Sequence, residues 1–149
     1  MKRRNLLAIL GGAAALLSLP LLKQASAEAA PKGSPHFEHS YATALKTAEK
    51  EHKPLIVIFS ATWCGPCQTM KKEVYPSSAI QPFHDKFVWA YLDVDDAKNK
   101  KVAADYQVNG IPHIQFIDAK GKAIDKQVGS SNPDAFAKTL EGVLKKAGS

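Results

Sequence analysis

Residues 63–67 read Trp-Cys-Gly-Pro-Cys, and they contain the only two cysteines of the 149-residue chain. The run before them, residues 54–59 (PLIVIF), is apolar and rich in β-branched side chains, which is typical of a buried strand. The polar residues after Cys67 favour a helix. The sequence therefore predicts that the cysteine pair lies where a strand passes into a helix.

This position assigns different roles to the two sulfur atoms. The nucleophile of thiol-disulfide exchange is a thiolate, and the free N–H groups at a helix N-terminus stabilise an anion on Cys64. Cys67 follows one helical turn later, so its sulfur lies beside that of Cys64 and resolves a mixed disulfide within the same chain. We therefore expect an exposed Cys64 to attack and an internal Cys67 to resolve.

A Cys-x-x-Cys pair also occurs in other kinds of site. A zinc site needs about four ligands, and no second Cys-x-x-Cys or closely spaced Cys-x-x-His follows. A static disulfide across so short a loop gains little chain-entropy stabilisation. A binding module that holds Cu(I) through soft thiolates is an alternative of another class, with Met70 as the only nearby soft group. The spacing favours redox chemistry over these alternatives.

Residues 1–27 have the composition of a secretory signal peptide. A basic start at residues 2–4 is followed by an apolar stretch, residues 6–22, and by the small-residue site Ala25-Ser26-Ala27. The apolar stretch is short of the ~20 residues of a membrane span, so a retained anchor is the less favoured reading. Arg3-Arg4 also partly fits a twin-arginine signal. We expect cleavage near Ala27 and a periplasmic or secreted protein.

The net charge of +6 comes mostly from this leader. The leader carries Lys2, Arg3, Arg4 and Lys23 and no acidic residue, which leaves 16 basic and 14 acidic residues and a net charge of +2 for the rest of the chain. Lysine and arginine are scattered there, without the aromatic and basic clusters of nucleic-acid-binding surfaces. We therefore expect no nucleic-acid partner.

The rest of the chain is long enough for one domain with its own core. Residues 28–36 are predicted to be a flexible linker, and residues 37–149 the domain. Helical and strand periodicities predict an α/β domain with a central mixed sheet flanked by helices. The predicted elements are an amphipathic helix that begins at residue 37 and ends near residues 52–54, strands at 55–59, 87–94 and 114–117, helices at 68–75 and 98–106, a hairpin turn at 118–122, an edge strand at 123–128 and a last helix capped by Asn132.

The pentad at residues 63–67 resembles the active site of thioredoxin, and the order of elements resembles the thioredoxin fold over about residues 37–146. A second motif, Ile111-Pro112, precedes the third strand. The resemblance implies a cis bond before Pro112 and an Ile111 backbone that pairs with an extended substrate segment. It also implies catalytic roles for Cys64 and Cys67 and a substrate-binding surface formed by Trp63, Gly65, Pro66, Ile111, Pro112 and His113.

Two positions depart from the family pattern. Ile58 stands where many thioredoxins have a buried acid that helps to move the proton of the resolving thiol, so water or Glu73 would have to accept that proton. His113 stands where threonine is usual. Its imidazole would either tune the thiolate at mildly acidic pH or line the substrate groove as a surface residue.

Residues 71–82 and 89–94 also resemble the periplasmic domain that ends the transmembrane disulfide reductase DsbD. The Gly-Pro dipeptide between the cysteines resembles reducing thioredoxins more than oxidants. Together with the predicted signal peptide, these resemblances imply an exported, monomeric reductant of protein disulfides in the cell envelope, re-reduced by a membrane donor of DsbD type, with no dissociable cofactor and no metal. A disulfide oxidase or isomerase on the same scaffold is the alternative.

Overall fold

The central strand of the sheet is Leu55–Ser60, and all six of its residues are buried. The computed structural model describes residues 30–148, so the predicted signal peptide lies outside the described residues. The strands are β1 (Phe37–Glu38), β2 (Leu55–Ser60), β3 (Val88–Asp93), β4 (His113–Ile117) and β5 (Ala123–Val128). The α-helices are α1 (Tyr41–Glu51), α2 (Gly65–Thr69), α3 (Lys100–Asp105) and α4 (Pro133–Ala147). A π-helical turn, Met70–Val74, continues α2, and 3₁₀ turns span Gln81–Lys86 and Ala97–Asn99.

The five strands form one mixed sheet in the order β1-β3-β2-β4-β5. Strand β2 pairs in parallel with β3 and antiparallel with β4, while β1 and β5 lie at the two edges. The predicted α/β architecture with a central mixed sheet is therefore confirmed. The spatial order of the strands also places β2 in the middle of the sheet, and the cysteine pair follows the end of this strand.

Alternate residues of β2 contribute to two separate cores, one on each face of the sheet. Ile56 and Ile58 pack with the buried face of α4 and with the π-helical turn. Leu55, Val57 and Phe59 pack with the alanines of α1 on the opposite face. Because both faces of β2 are covered, this strand is apolar throughout rather than alternating.

The first helix was predicted to include Phe37, and this prediction is wrong. Residues 37 and 38 form β1, which pairs with Trp89 and Ala90 of β3. The Phe37 ring packs against buried and half-buried aromatic side chains, with ring centroids 5.3 Å from Tyr91 and 6.3 Å from Trp89. The helix begins only at Tyr41, after the N-cap residue Ser40. The aromatic contacts, which are distant in sequence, override the local helical spacing.

Local turn and cap signals gave more accurate predictions. The Asn132 side chain accepts a hydrogen bond of 2.9 Å from the Ala135 N–H and caps α4, as predicted. Gly121 adopts a φ of +87° in the hairpin turn that leads into β5. The described part of the predicted linker, residues 30–36, has no regular structure, and Pro35 within it is buried. Its boundaries stay a prediction. No helix within residues 30–148 has the length and apolar character needed to cross a membrane.

Candidate active site

The cysteine pair lies at the N-terminus of α2, directly after the central strand. Cys64 is the N-cap residue of this helix, and its N–H donates to the Ala61 carbonyl at 3.2 Å. The Gln68 side-chain amide also donates to the Ala61 carbonyl, at 3.0 Å, and ties the helix to the end of β2. Cys64 and Cys67 form a disulfide with their Cα atoms 5.3 Å apart. The predicted strand-to-helix position is confirmed.

Backbone geometry favours negative charge on Cys64. The Cys67 N–H donates to Cys64 Sγ at 3.3 Å, and an N–H directed at a sulfur stabilises its anion. The expectation of an exposed Cys64 is wrong, because this residue is only 5% exposed and Cys67 is 1% exposed. Both cysteines pack with Ala61, and the partly buried side chains of Val94 and Ile111 cover them. Cys64 is thus the more accessible sulfur by a small margin only.

The Ile111-Pro112 loop lies against the pair. The Ile111-Pro112 peptide bond is cis, as the resemblance implied, and Ile111 packs against the cysteine cluster. The Pro112 carbonyl accepts a hydrogen bond of 2.8 Å from the Gly129 N–H, which holds the loop against the end of β5. Within residues 30–148, no backbone hydrogen bond involves Ile111. Its backbone polar groups can therefore pair with an extended segment of another chain.

A groove of about 420 Å³ adjoins the pair, and Trp63 forms one of its walls. The Trp63 side chain is 69% exposed, and its indole N–H donates to Asp95 Oδ2 at 2.7 Å, which fixes the ring beside the groove. Gly65 and Pro66 are exposed at the start of α2. Together with Ile111, these predicted substrate-binding residues surround the disulfide. The other groove-lining residues are Val94, Lys100, Ala103, Ala104, Val108, Asn109 and Gly110.

Sequence reasoning missed two residues of this surface. No local pattern singles out Asp95, although its Oδ2 accepts the hydrogen bond of the Trp63 indole N–H. Val128 was predicted only as part of an edge strand, although its side chain is exposed and a Cβ added at Gly110 would lie 3.9 Å from its Cγ1. Val128 and Trp63 are the exposed large hydrophobic residues of the described chain. Apolar side chains on both sides of the Pro112 loop are consistent with contact to partner chains.

His113 is not at the surface. It is the first residue of β4 and is 1% exposed, so its interpretation as a surface residue that lines the groove is wrong. Its Nε2 lies 3.3 Å from Gln115 Oε1, and its ring packs edge-on against Phe59 with centroids 5.7 Å apart. Burial lowers the pKa of His113. His113 is buried because β4 lies between β2 and β5 in the sheet and all of its residues are buried.

Ile58, which stands where many thioredoxins have a buried acid, has polar side chains near it. Ile58 is fully buried and lies opposite Tyr91 of β3 in the sheet. The Tyr91 hydroxyl is 2.6 Å from Ser60 Oγ, and Lys71 Nζ is 5.2 Å from the centroid of the Tyr91 ring. Glu73, the acid suggested from the sequence, is exposed. The structure thus brings a serine, a tyrosine and a lysine together near the position where a carboxylate was missing.

The copper-binding alternative relies on the two thiolates, and Met70 was the only other soft group near them in the sequence. Met70 is fully buried in the core with Ile58, and its Sδ accepts a hydrogen bond of 3.9 Å from the Tyr75 hydroxyl. It does not belong to the cluster around the two cysteines. Among the residues that the structure describes, no group of three or more histidine, cysteine, aspartate or glutamate side chains is arranged to hold a metal ion.

A family model described as a thioredoxin-like domain matches residues 41–144. The chain belongs to the thioredoxin-like family. It is 40% identical over 85 residues to the TPR repeat-containing thioredoxin TDX of Arabidopsis thaliana, a match that covers 57% of this chain and 21% of that protein. It is 30% identical over 92 residues to the protein disulfide-isomerase of Ricinus communis, which covers 61% of this chain and 18% of that protein.

Solved structures of thioredoxin-like proteins agree with this membership. The solution structure of a thioredoxin from Thermus thermophilus is 27% identical and superposes with a TM-score of 0.70, covering 77% of this chain and 91% of that one. The predicted thioredoxin fold is thereby confirmed. The chain spans about a fifth of the length of the two sequence relatives, which are larger proteins. The thioredoxin-like family is one of thiol-disulfide oxidoreductases, and in this member Cys64 and Cys67 form a Cys-x-x-Cys disulfide.

Proposed function

We propose that this thioredoxin-like protein is a reductant of protein disulfides in the cell envelope. The observation that carries the proposal is the Gly65-Pro66 dipeptide at the start of α2, because it adds no side-chain donor and no positive charge beside Cys64. A strong oxidant of this kind owes its potential to a strongly stabilised reduced form. Here the backbone group that donates to Cys64 Sγ is the Cys67 N–H, which is a neutral donor. A pair whose reduced form is stabilised only by a neutral donor favours its own disulfide form, and it therefore donates electrons to the substrate.

The reaction takes two steps. The Cys64 thiolate attacks one sulfur of a substrate disulfide, the substrate S–S bond breaks, and the leaving sulfur departs as a thiolate that takes a proton from water. The Cys67 thiolate then attacks Cys64 Sγ in the mixed disulfide and releases the second substrate thiol. The substrate gains two electrons, and the Cys64–Cys67 pair becomes oxidised. A donor dithiol reverses these steps and restores the reduced pair.

Substrate docking uses the surface around the pair. An extended segment on either side of the substrate cysteine pairs with the Ile111 backbone, while Trp63 and Val128 contact its apolar side chains. The groove beside Trp63 is lined mostly by small or apolar residues. Protein disulfides with apolar neighbours are therefore the proposed substrate class.

The proposed location depends on the leader, and the proposed donor depends on the resemblance to the periplasmic domain of DsbD. The composition of residues 1–27 supports export and cleavage near Ala27, and residues 71–82 with 89–94 support a membrane donor of DsbD type. Mass analysis of the protein purified from an envelope fraction tests the location, because cleavage near Ala27 removes a defined mass. Full-length protein recovered from the cytoplasm would contradict it.

The reduction potential of the Cys64–Cys67 couple tests the direction. We expect a value close to the −270 mV or so of thioredoxin, and well below the roughly −120 mV of the oxidant DsbA. Equilibration with glutathione or dithiothreitol buffers, followed by alkylation and gel separation of the two forms, gives the value. A potential near that of DsbA would identify an oxidase, and one near the roughly −180 mV of protein disulfide isomerase would favour the isomerase.

A further inference from the structure

Lys71 is a buried charged side chain on the helix that carries the cysteine pair. It is 8% exposed, and within residues 30–148 no other lysine, arginine, aspartate or glutamate is buried to this degree. Removing an ammonium group from water is unfavourable unless the surrounding groups compensate. A solvent-facing helix residue would avoid this penalty, so the burial of Lys71 calls for a physical explanation.

Lys71 is the second residue of the π-helical turn that continues α2, and it is buried. The Tyr75 N–H donates to the Met70 carbonyl at 3.0 Å, a hydrogen bond that spans five residues and defines the turn. Cys67 and Lys71 are four residues apart, and both are buried, whereas Lys72 is exposed. Residues at this spacing lie on the same face of a helix. The Lys71 side chain therefore starts one helical turn beyond the resolving cysteine. Single π-helical turns within α-helices occur frequently at functional sites.

The end of the Lys71 side chain lies over the sheet near the end of β2. Its Nζ is 5.2 Å from the centroid of the Tyr91 ring, within the range of a cation–π interaction. The Tyr91 hydroxyl is 2.6 Å from Ser60 Oγ, and Ser60 immediately precedes Ala61, which packs against both cysteines. We name Ser60, Lys71 and Tyr91 the buried polar cluster. Its members come from β2, from the π-helical turn that continues α2 and from β3, respectively.

The resolving step needs a charge on Cys67 that its immediate surroundings do not favour. Cys67 is 1% exposed and packs with Ala61, Val94 and Ile111, and burial among apolar groups disfavours a thiolate. Ile58 supplies no carboxylate, and Glu73 is exposed. An opposite charge in a low-dielectric interior favours the thiolate far more than the same charge would in water.

We propose that Lys71, held in place by Tyr91 and Ser60, is a positioning residue for the resolving step whose ammonium stabilises the thiolate of Cys67. The S–H bond of Cys67 breaks and its proton passes to water. The thiolate then attacks Cys64 Sγ, the intramolecular disulfide forms, and the substrate sulfur leaves as a thiolate. The proposal rests on the exchange chemistry of the pair and not on its direction, so it holds for a reductant and for an oxidant alike.

Other titratable groups surround the buried polar cluster. Tyr75 follows the π-helical turn, and burial raises its pKa, so its hydroxyl is neutral throughout the working pH range. Glu38 and His39 lie at the β1 edge, where His39 Nδ1 is 3.2 Å from the Tyr91 carbonyl and is exposed. The test therefore measures Cys67 itself and does not rely on the pH dependence of overall activity.

The experiment uses the full chain with Cys64→Ser, which leaves Cys67 as its only cysteine. The ultraviolet absorbance of the thiolate, followed as a function of pH, gives the pKa of Cys67. We expect Lys71→Met to raise this pKa by about 1 unit or more, in the range typical for loss of a nearby opposite charge. Lys71→Arg keeps the charge and is expected to change it less. Lys72→Met is the matched control, because it removes the same charge from the exposed side of the same helix, where solvent screens it.

A kinetic measurement separates this role from a structural one. In the two-cysteine protein, decay of a preformed mixed disulfide at neutral pH should be about three- to fourfold slower in Lys71→Met for each unit of pKa shift, because the tenfold loss of thiolate is partly offset by its greater nucleophilicity, and the rate should recover at higher pH. If Lys71→Met does not fold, as judged by circular dichroism, Lys71→Gln replaces it. Equal pKa shifts for the Lys71 and Lys72 variants, or slower decay at every pH, would overturn the proposal. An oxidising reduction potential would overturn the reductant role and leave this comparison intact.

Discussion

The hydroxyl pair formed by Ser60 and Tyr91 offers a direct measure of how strongly the buried polar cluster holds together. The oxygen atoms are 2.6 Å apart, Ser60 is buried at the end of β2, and Tyr91 is half-buried. Tyr91→Phe keeps the ring under Lys71 and removes only the hydroxyl. Ser60→Ala removes the other partner, and the double variant removes both.

The expected magnitudes follow from burial. Tyr91→Phe leaves Ser60 Oγ in the interior without this partner, which costs about 1–3 kcal/mol of the free energy of unfolding. Ser60→Ala costs about 1 kcal/mol, because the Tyr91 hydroxyl is nearer to solvent. Once one partner is gone, removing the second costs little, so the double variant should be more stable than additivity predicts by about 1–2 kcal/mol.

Urea unfolding of the oxidised protein, analysed by linear extrapolation, gives the four free energies of unfolding. The matched comparison is Thr139→Ala, which removes an exposed hydroxyl bonded within α4 at 3.2 Å and is expected to change stability far less. If the two single-variant losses simply add in the double variant, to within about 0.5 kcal/mol, the hydroxyl pair contributes no coupling and our account of the cluster is refuted.

Three further outcomes are expected. Cys64→Ser should abolish reduction of insulin disulfides while Cys67→Ser accumulates mixed disulfides on non-reducing gels, and faster alkylation of Cys67 than of Cys64 in the reduced protein would reverse the two roles. His113 has a lowered pKa in the folded state, so the unfolded chain binds a proton first and the free energy of unfolding falls as pH drops below about 6.5, by at most about 1.4 kcal/mol per pH unit. His113→Thr should lack this loss when urea unfolding is measured above and below about pH 6.5. Identical pH slopes for the two proteins would contradict the assignment. Trp63→Ala should slow reduction of a protein disulfide several-fold more than reduction of a small aliphatic disulfide, because only the protein contacts the exposed ring, and equal slowing of both would remove Trp63 from the docking surface.

Several features could be predicted because they depend on neighbouring residues alone. The strand-to-helix position of Cys64 and Cys67 follows from an apolar run, a two-residue spacing and a polar helix-forming segment. The cap at Asn132 and the turn at Gly121 likewise depend on a few consecutive residues. Local backbone preferences and the periodicity of apolar residues thus determined the order of the elements and the chemistry of the pair.

The features that could not be predicted depend on residues far apart in the chain. Phe37 joins a strand because aromatic residues of β3 lie beside it, and His113 is buried because β4 lies between two other strands. Asp95 accepts a hydrogen bond from the indole N–H of Trp63, 32 residues away in the chain. The Lys71 ammonium lies over the ring of Tyr91, which belongs to strand β3.

Local sequence is enough to predict a thioredoxin-like Cys-x-x-Cys pair, because that chemistry needs two cysteines one helical turn apart after a strand. The surroundings of the pair depend on the tertiary fold. Burial, screening and hydrogen-bond partners are set by packing between elements that are distant in sequence, and no local pattern encodes them. Lysine is rarely buried without compensating groups, and the fold makes Lys71 a buried charge one helical turn beyond the resolving cysteine.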